Sequence, residues 1–284
     1  MKILVLGVSG MLGNTVFRYF SENKKYEVIG SARSSSVLRA FVPELANKII
    51  LGTDVENSDA LAYLFAIVKP NVVINCIGLI KQLAEANEPL QAIPINSLLP
   101  HRLARLCEIA GARLVHVSTD CVFSGAKGNY FETDPSDAND LYGRSKYLGE
   151  VDYPHVVTLR TSIIGHELGS TNGLIDWFLS QQETVNGFTN AIFSGFPTIE
   201  LAHIIRDVVL KHPHLSGLYH VASEPISKYD LLKLVAQVYK KNIEILPSDK
   251  VTINRSLNAE KFKIEAGYSS PPWPELINKM FDFG

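Results

Sequence analysis

Hydrophobic and polar positions follow two alternating patterns over the first 160 residues. Short runs that are apolar throughout, such as Ile3-Leu4-Val5-Leu6 and Val72-Val73-Ile74, are separated by longer segments whose apolar residues recur at helical spacing. The pattern predicts strands over 3–6, 27–31, 48–51, 72–75, 113–117 and 155–160. It predicts helices over 11–21, 58–68, 97–110 and 140–151. Strands without a polar face must be covered on both sides, which argues for a parallel sheet between two layers of helices. Right-handed crossovers then make a doubly wound, Rossmann-type α/β sheet the economical topology.

Beyond residue 160 the texture changes. The stretch 165–198 is richer in Gly, Asn, Thr and Ser, and its periodicity is weaker. A helix is predicted over 201–210 and a short strand over 217–221. Ser227 stands as the N-cap of a helix over 229–239. The tail from Asn258 reads as a short helix, a Gly267-Tyr268 stop, a turn rich in proline (Pro271, Pro272, Pro274) and a last helix. The expected organisation is a main domain over 1–165 and a smaller C-terminal α/β lobe over 166–284, with about 200–222 returning to the main sheet.

Composition narrows the class without choosing a function. The chain has 284 residues, 46% hydrophobic and 20% charged, with a formal net charge of −2. No basic face is implied, so a nucleic acid polymer is not an expected partner. The opening apolar run is too short for a secretion signal, and no apolar stretch is long enough to cross a bilayer. Cys76, Cys107 and Cys121 are odd in number and lack ligand spacing, which suggests reduced thiols in a cytoplasmic protein without a metal. His212 and His214, on either side of Pro213, read as a surface turn.

The first strand runs straight into "GVSGMLG", residues 7–13. Glycine at a strand end allows a tight turn, a second lets the backbone approach a pyrophosphate, and a third lets the helix pack close to the strand. Gly7, Gly10 and Gly13 suit these three roles, and the helix that follows offers free N–H groups to an anion. After the second strand comes Gly30-Ser31-Ala32-Arg33-Ser34. No carboxylate is present there for a ribose 2′-hydroxyl, whereas Arg33 can pair bidentately with a 2′-phosphate. The expectation is NADP(H), with NAD(H) possible. Asp54 is placed either to bond the adenine amino group or to cap the next helix.

"LVHVSTDCVFSG" (114–125) brings Ser118, Thr119 and Asp120 to a strand's carboxyl end, where open α/β sheets bind ligands. "LYGRSK" (141–146) then sets Tyr142 and Lys146 one helical turn apart on one face. The ordered set of glycine turn, Ser-Thr-Asp and Tyr-x-x-x-Lys resembles the extended short-chain dehydrogenase/reductases. Within them it is most similar to the dTDP-4-dehydrorhamnose reductase family of sugar-nucleotide reductases. Further matches are Asn-Cys-Ile-Gly at 75–78, Asn96, Leu-Arg-Thr-Ser at 159–162, Phe-Pro-Thr at 196–198 and Gly-Leu-Tyr-His-Val-Ala at 217–222.

The resemblance implies that Tyr142 is the general acid, that Lys146 lowers its pKa and holds the nicotinamide ribose, and that Thr119 orients the substrate carbonyl. It implies cofactor contacts from Gly7, Ser9, Gly10, Met11, Leu12, Gly13, Arg33, Ser34, Asp54, Val55, Cys76, Ile77, Gly78, Asn96, Val117 and Ser118. Substrate contacts are expected from Lys81, Asp120, Cys121, Asn172, Trp177 and Thr198. Trp177 either stacks on a base or fills the core, and Arg160 either reaches a phosphate or steadies the sheet end.

The implied reaction is reduction of a 4-keto group on a nucleotide sugar, linked to UDP or dTDP, in surface polysaccharide precursor synthesis. A related dehydratase carries glutamate where this chain has Cys121, a poor replacement for a carboxylic acid. Two alternatives stand: an epimerase of the same fold, and a non-catalytic NADP-binding regulatory subunit. A homodimer is possible.

Overall fold

Seven parallel strands form one sheet in the computed structural model, which describes residues 1–81 and 84–284. They are β1 (Lys2–Leu6), β2 (Glu27–Ser31), β3 (Ile49–Ile50), β4 (Val72–Asn75), β5 (Arg113–Thr119), β6 (Val156–Thr161) and, much later, Gly217–His220. Across the sheet the order is β3-β2-β1-β4-β5-β6, with Gly217–His220 paired to β6 at the far edge. Chain order reverses between β1 and β4, so a crevice opens there at the strands' carboxyl ends.

Each face of the sheet has its own apolar layer. Ile3 and Val5 of β1 point to Val16, Phe17 and Phe20 of α1 (Met11–Ser21). Leu4 and Leu6 point the other way. They meet Leu61 and Leu64 of α3 (Ser58–Val68) and Leu103 and Ala104 of α5 (Leu99–Ala110). Two short helices, α2 (Pro43–Ala46) and α4 (Pro89–Ala92), lie between them in the chain. Two-sided burial is why β1 has no polar alternation. Each such side chain contributes about 1.5–3 kcal/mol.

α6 (Leu141–Leu148) precedes β6. After β6 come β7 (Ile163–Ile164), α7 (Leu174–Ser180), β8 (Val185–Phe188), β9 (Ala191–Phe193) and β10 (Phe196–Pro197), then α8 (Thr198–His203) and Gly217–His220 as β11. The remaining elements are β12 (Ile226–Ser227), α9 (Lys228–Val238), β13 (Ile245–Ser248), β14 (Ile253–Asn254), α10 (Glu260–Ala266) and α11 (Trp273–Phe283). β9 is flanked by β12 and β14 in a small separate sheet. Ser227 caps α9 by accepting from Asp230 N–H at 3.0 Å.

Several boundaries differ from the sequence pattern for identifiable reasons. The helix expected to begin at 97 starts at Pro89 and passes through a π-helical turn, Ile93–Leu98, before α5. Pro94 cannot donate an N–H, and the wider i→i+5 turn carries the helix past it. The helix expected over 201–210 likewise changes to a π turn at Ile204–Val208 and a 3₁₀ turn at Val209–Lys211. α6 stops at Leu148, ahead of the expected 151. Gly149 follows it, where a Cβ would stand 2.0 Å from the Asn96 carbonyl oxygen. Asp54 is not the cap of α3. Asn57 holds that place, accepting from the N–H groups of Asp59 and Ala60, while Asp54 closes a turn with Glu56 N–H at 3.0 Å.

A very close backbone approach joins α1 to the end of β1. A Cβ on Gly13 would lie 2.0 Å from the Gly7 carbonyl oxygen. Gly7 itself has φ +84°, a left-handed conformation that favours glycine. Gly13→Ala is therefore expected to lower stability by about 3 kcal/mol, because backbone rather than a movable side chain must shift. Urea denaturation measures this, and a loss below about 1 kcal/mol would mean that α1 can move off the strand.

Candidate active site

The turn after β1 leaves α1 with an open amino end. Gly10 is the N-cap residue and has no side chain with which to satisfy the first N–H groups. Its own N–H bonds Gly7 O at 3.0 Å, which shapes the turn. A Cβ on Gly10 would meet only Gly7 O, at an ordinary 3.5 Å. Packing within the protein thus accounts for Gly7 and Gly13 but not for Gly10. A group approaching from the crevice does account for it: free N–H groups and the positive helix end suit a diphosphate.

That open end forms one wall of a cavity of about 670 Å³ at the carboxyl ends of β1, β4, β5 and β6. Ser9, Gly10, Met11 and Leu12 line one end. Cys76, Ile77, Gly78 and Lys81, from the loop after β4, line the side. Val117, Ser118, Thr119, Asp120 and Cys121 come from the end of β5, and Tyr142 and Lys146 project from α6. The predicted acid, its partner lysine and the predicted carbonyl-orienting threonine thus share one chamber with the glycine turn.

α6 is held firmly at this place. Asp140 caps it by accepting from Gly143 N–H at 2.8 Å and forms a 2.5 Å ion pair with Lys81. Gly143 allows close packing, since a Cβ there would stand 2.2 Å from the Cys121 carbonyl oxygen. On the opposite side the π turn offers two side chains. Asn96 donates to Ser145 Oγ at 3.2 Å, and Ser97 donates to the Ser145 carbonyl at 2.8 Å. Asn96 also exchanges hydrogen bonds with Leu79 of the cavity wall. It is fully buried, and it positions α6 and the loop without lining the cavity.

Burial sets the electrostatics. Lys146 is 5% exposed and donates to the Val117 carbonyl at 2.9 Å. Burial pulls its ammonium down from 10.5 to about 8, with Glu150 opposing. Burial pushes the Tyr142 phenol well above its usual 10; the charge of Cys121 adds to this, and a hydrogen bond from Thr119 opposes it. In the protein alone desolvation of the phenolate dominates, and Lys146 is not among the groups that shift Tyr142. Burial raises Asp120, chiefly against the pull of Arg255. Burial and Asp120 push the Cys121 thiol up to about 12, so it is a still weaker acid than an ordinary thiol.

Other expected site residues fall in different places. Asn172 lines the cavity on the segment before α7, where its N–H and that of Gly173 are both taken by Glu167. Arg33 and Ser34 are exposed beyond β2, outside the cavity lining, and Ser34 Oγ accepts from Ser36 N–H. Asp54 is exposed and Val55 buried, both away from the lining. Two residues expected at the sugar pocket do not line it. Trp177 is 38% exposed on α7, neither core nor cavity wall. Thr198 is buried and bonds Thr15 Oγ1 at 3.0 Å, tying α8 to α1. Arg160 steadies the sheet end through Glu150 at 2.5 Å and His220 at 2.8 Å. Among the described residues no cluster of three metal-ligating side chains occurs.

The cavity also contains two cations that the sequence patterns did not single out, Lys228 and Arg255. Lys228 opens α9, where a positive charge opposes the helix dipole. That local cost was the available signal. Arg255 follows β14, and among the described residues it gives only its Nε to a protein partner, the Phe123 carbonyl, at 2.7 Å.

Parallel order, a switch-point crevice and a glycine turn at its floor define a Rossmann-type α/β fold. A model of the RmlD substrate binding domain matches residues 1–282, and the chain belongs to that family. It is 26% identical to a dTDP-4-dehydrorhamnose reductase of Aggregatibacter actinomycetemcomitans, over 98% of each chain. It is 25% identical to methionine adenosyltransferase 2 subunit beta of Xenopus tropicalis, over 99% of this chain and 90% of the relative. The fold matches the crystal structure of dTDP-4-dehydrorhamnose reductase from Bacillus anthracis in complex with NADP. That match has a TM-score of 0.81 and 21% identity, and covers 99% of this chain and 97% of that one.

Two outcomes test the site's physics without a substrate. Gly10→Ala should cost no more than about 1 kcal/mol of stability, since its Cβ fits the protein, yet weaken dinucleotide binding by about tenfold or more. Calorimetric titration checks this, and equal affinity would place the diphosphate elsewhere. For Lys146 the folded pKa of about 8 lies below the ordinary 10.5. Between those values the unfolded chain binds more protons, so stability rises with pH across that window. Lys146→Met should flatten that rise in denaturation curves; an unchanged slope would assign it to another group.

Proposed function

We propose that this chain is an NAD(P)H-dependent oxidoreductase that reduces the 4-keto group of a nucleotide sugar, in the manner of a dTDP-4-dehydrorhamnose reductase. The carrying observation is the placement of Thr119, Tyr142 and Lys146 around one cavity that ends on the Gly7–Gly13 turn. Gly10 and the first N–H groups of α1 suit the dinucleotide's diphosphate, and Arg33, exposed beyond β2, suits a 2′-phosphate. That Arg33 occupies the place of a ribose-binding carboxylate supports NADP(H) over NAD(H). When bound, the reduced nicotinamide supplies hydride to the carbonyl carbon.

The chain's own residues do the rest. Thr119 and Tyr142 hydrogen-bond the carbonyl oxygen and fix its direction. The Tyr142 hydroxyl gives its proton to that oxygen, and the Lys146 ammonium stabilises the phenolate and returns a proton to it. Tyr142 needs this help, because burial makes an isolated phenolate costly there. At the far end Lys228 and Arg255 supply positive charge for the sugar-linked diphosphate. Dehydration is disfavoured, since Cys121 holds its proton up to about 12. The resulting product class is a nucleotide deoxysugar, a precursor of surface polysaccharide.

A second reading follows from the likeness to methionine adenosyltransferase 2 subunit beta: a dinucleotide-binding partner of another enzyme. A pure binder has no need of a buried ammonium beside a phenol and a threonine, and this favours the reductase. NADPH oxidation with freshly generated UDP- and dTDP-linked 4-keto-6-deoxy sugars distinguishes the two. Turnover is expected, and Tyr142→Phe should cut kcat by about 10²–10⁴ while leaving NADPH affinity nearly unchanged. No oxidation with either sugar by folded, NADPH-binding protein would favour the partner role.

A further inference from the structure

Thr119 has a single hydroxyl proton to give, and in the protein alone it goes to Asp120. Thr119 Oγ1 donates to Asp120 Oδ1 at 3.3 Å and accepts from Cys121 N–H at 3.1 Å. A hydroxyl offers one donor and two acceptor sites. To donate to a carbonyl oxygen in the cavity, Thr119 must therefore release Asp120. The bond to be released is slack: at 3.3 Å it is longer than the roughly 2.5–2.7 Å usual between a hydroxyl and a carboxylate.

Asp120 is a buried acid with little to hold its charge. It is 8% exposed and lines the cavity. The Thr119 hydroxyl and the Cys121 thiol are its hydrogen-bonding side chains. Among the described residues it forms no ion pair, and Arg255 after β14 and Lys228 of α9 act on it only through their charge, against burial. From α6 it faces Tyr142, whose ionisation its own charge opposes. Arg255 and Lys228 are the two cations that suit a sugar-linked diphosphate. Negative charge placed on them cancels their pull on Asp120, and burial then favours the neutral acid.

We propose that Asp120 is a positioning residue: when a nucleotide sugar engages Arg255 and Lys228, Asp120 takes up a proton, donates a hydrogen bond to Thr119 Oγ1 and so turns the Thr119 hydroxyl onto the substrate carbonyl. Its catalytic meaning rests on the reductase reading. The proton comes from solvent through the cavity and stays on Asp120, while Tyr142 protonates the carbonyl oxygen. Thr119 then accepts from Asp120 and from Cys121 N–H and donates to the carbonyl, so all three of its hydrogen-bonding sites are filled. Loss of the Asp120 charge also removes one of the charges that make a Tyr142 phenolate costly. The diphosphate end of the substrate thereby readies the carbonyl end, and a keto sugar without a diphosphate leaves Thr119 turned away.

The first measurement needs no keto sugar. UDP-glucose and dTDP-glucose carry the diphosphate but no ketone, and neither titrates near neutral pH. Calorimetric titration of NADPH-loaded protein, in two buffers of different ionisation heat, counts the protons taken up on binding. About half a proton or more per site is expected, falling to about zero in Asp120→Asn. Binding without uptake, or equal uptake in Asp120→Asn, overturns the proposal. In NADPH oxidation with a 4-keto-6-deoxy sugar nucleotide, Asp120→Ala should lower kcat by about tenfold with little change in KM. Asp120→Asn, whose amide N–H makes the same donation, should recover most of that loss. A side chain that only packs or only binds the sugar would shift the melting temperature or KM without such recovery, which also overturns the proposal. If Asp120→Ala does not fold, Asp120→Asn is compared with Thr119→Val, and equally slow turnover overturns it. Proton uptake in a protein that reduces no keto sugar would leave the linkage standing and remove only the reductase reading; binding of neither probe would remove both.

Discussion

The buried ammonium of Lys146, held on the carbonyl of Val117, is the interaction around which the site is built. Placing a charge where 5% of its surface remains open is costly, and its fall from 10.5 to about 8 records that cost. The carbonyl is available because β4 is shorter than β5 at this end, and Asn75 redirects the N–H of Ile77. Strand length at the switch point therefore becomes chemistry. One more paired residue on β4 would occupy the acceptor that fixes the lysine.

The structure invests heavily in keeping α6 at that place. Asp140 closes its start, Gly143 presses it onto the Cys121 carbonyl, and Gly149 ends it against the Asn96 carbonyl. The π turn before α5 turns Asn96 and Ser97 together toward Ser145. A regular helix would spread two adjacent side chains about 100° apart; the wider turn brings both to bear on α6. The geometry of the candidate site depends as much on these glycines and on a proline-driven irregularity as on the residues that line the cavity.

Much of the fold was legible in the pattern of apolar positions. α1, α3, β2 and β4 occupy the ranges that periodicity assigns, because each buries a face whose spacing is local. The same spacing could not foresee the π turns at Ile93–Leu98 and Ile204–Val208, which answer to proline chemistry and neighbouring helices. In the candidate site, the glycine turn, Thr119, Tyr142 and Lys146 were legible from their order. Thr198 and Trp177 do not line the cavity, since a motif match says nothing about which way a side chain leaves its helix. Lys228 and Arg255 went unnoticed because they lie more than 80 residues beyond Lys146 in the chain.

By itself the sequence determined the elements and their layering: runs of apolar residues must be covered, and glycine alone tolerates the turn at Gly7 and the contact at Gly13. It also determined that a phenol and an ammonium share one helix face. Only the tertiary structure decided what those groups experience. Whether a lysine is solvated or stripped of water, whether a tyrosine is easily or reluctantly ionised, and which distant cations face them all depend on desolvation and long-range contact. Neither quantity exists until the strands and helices close around the crevice.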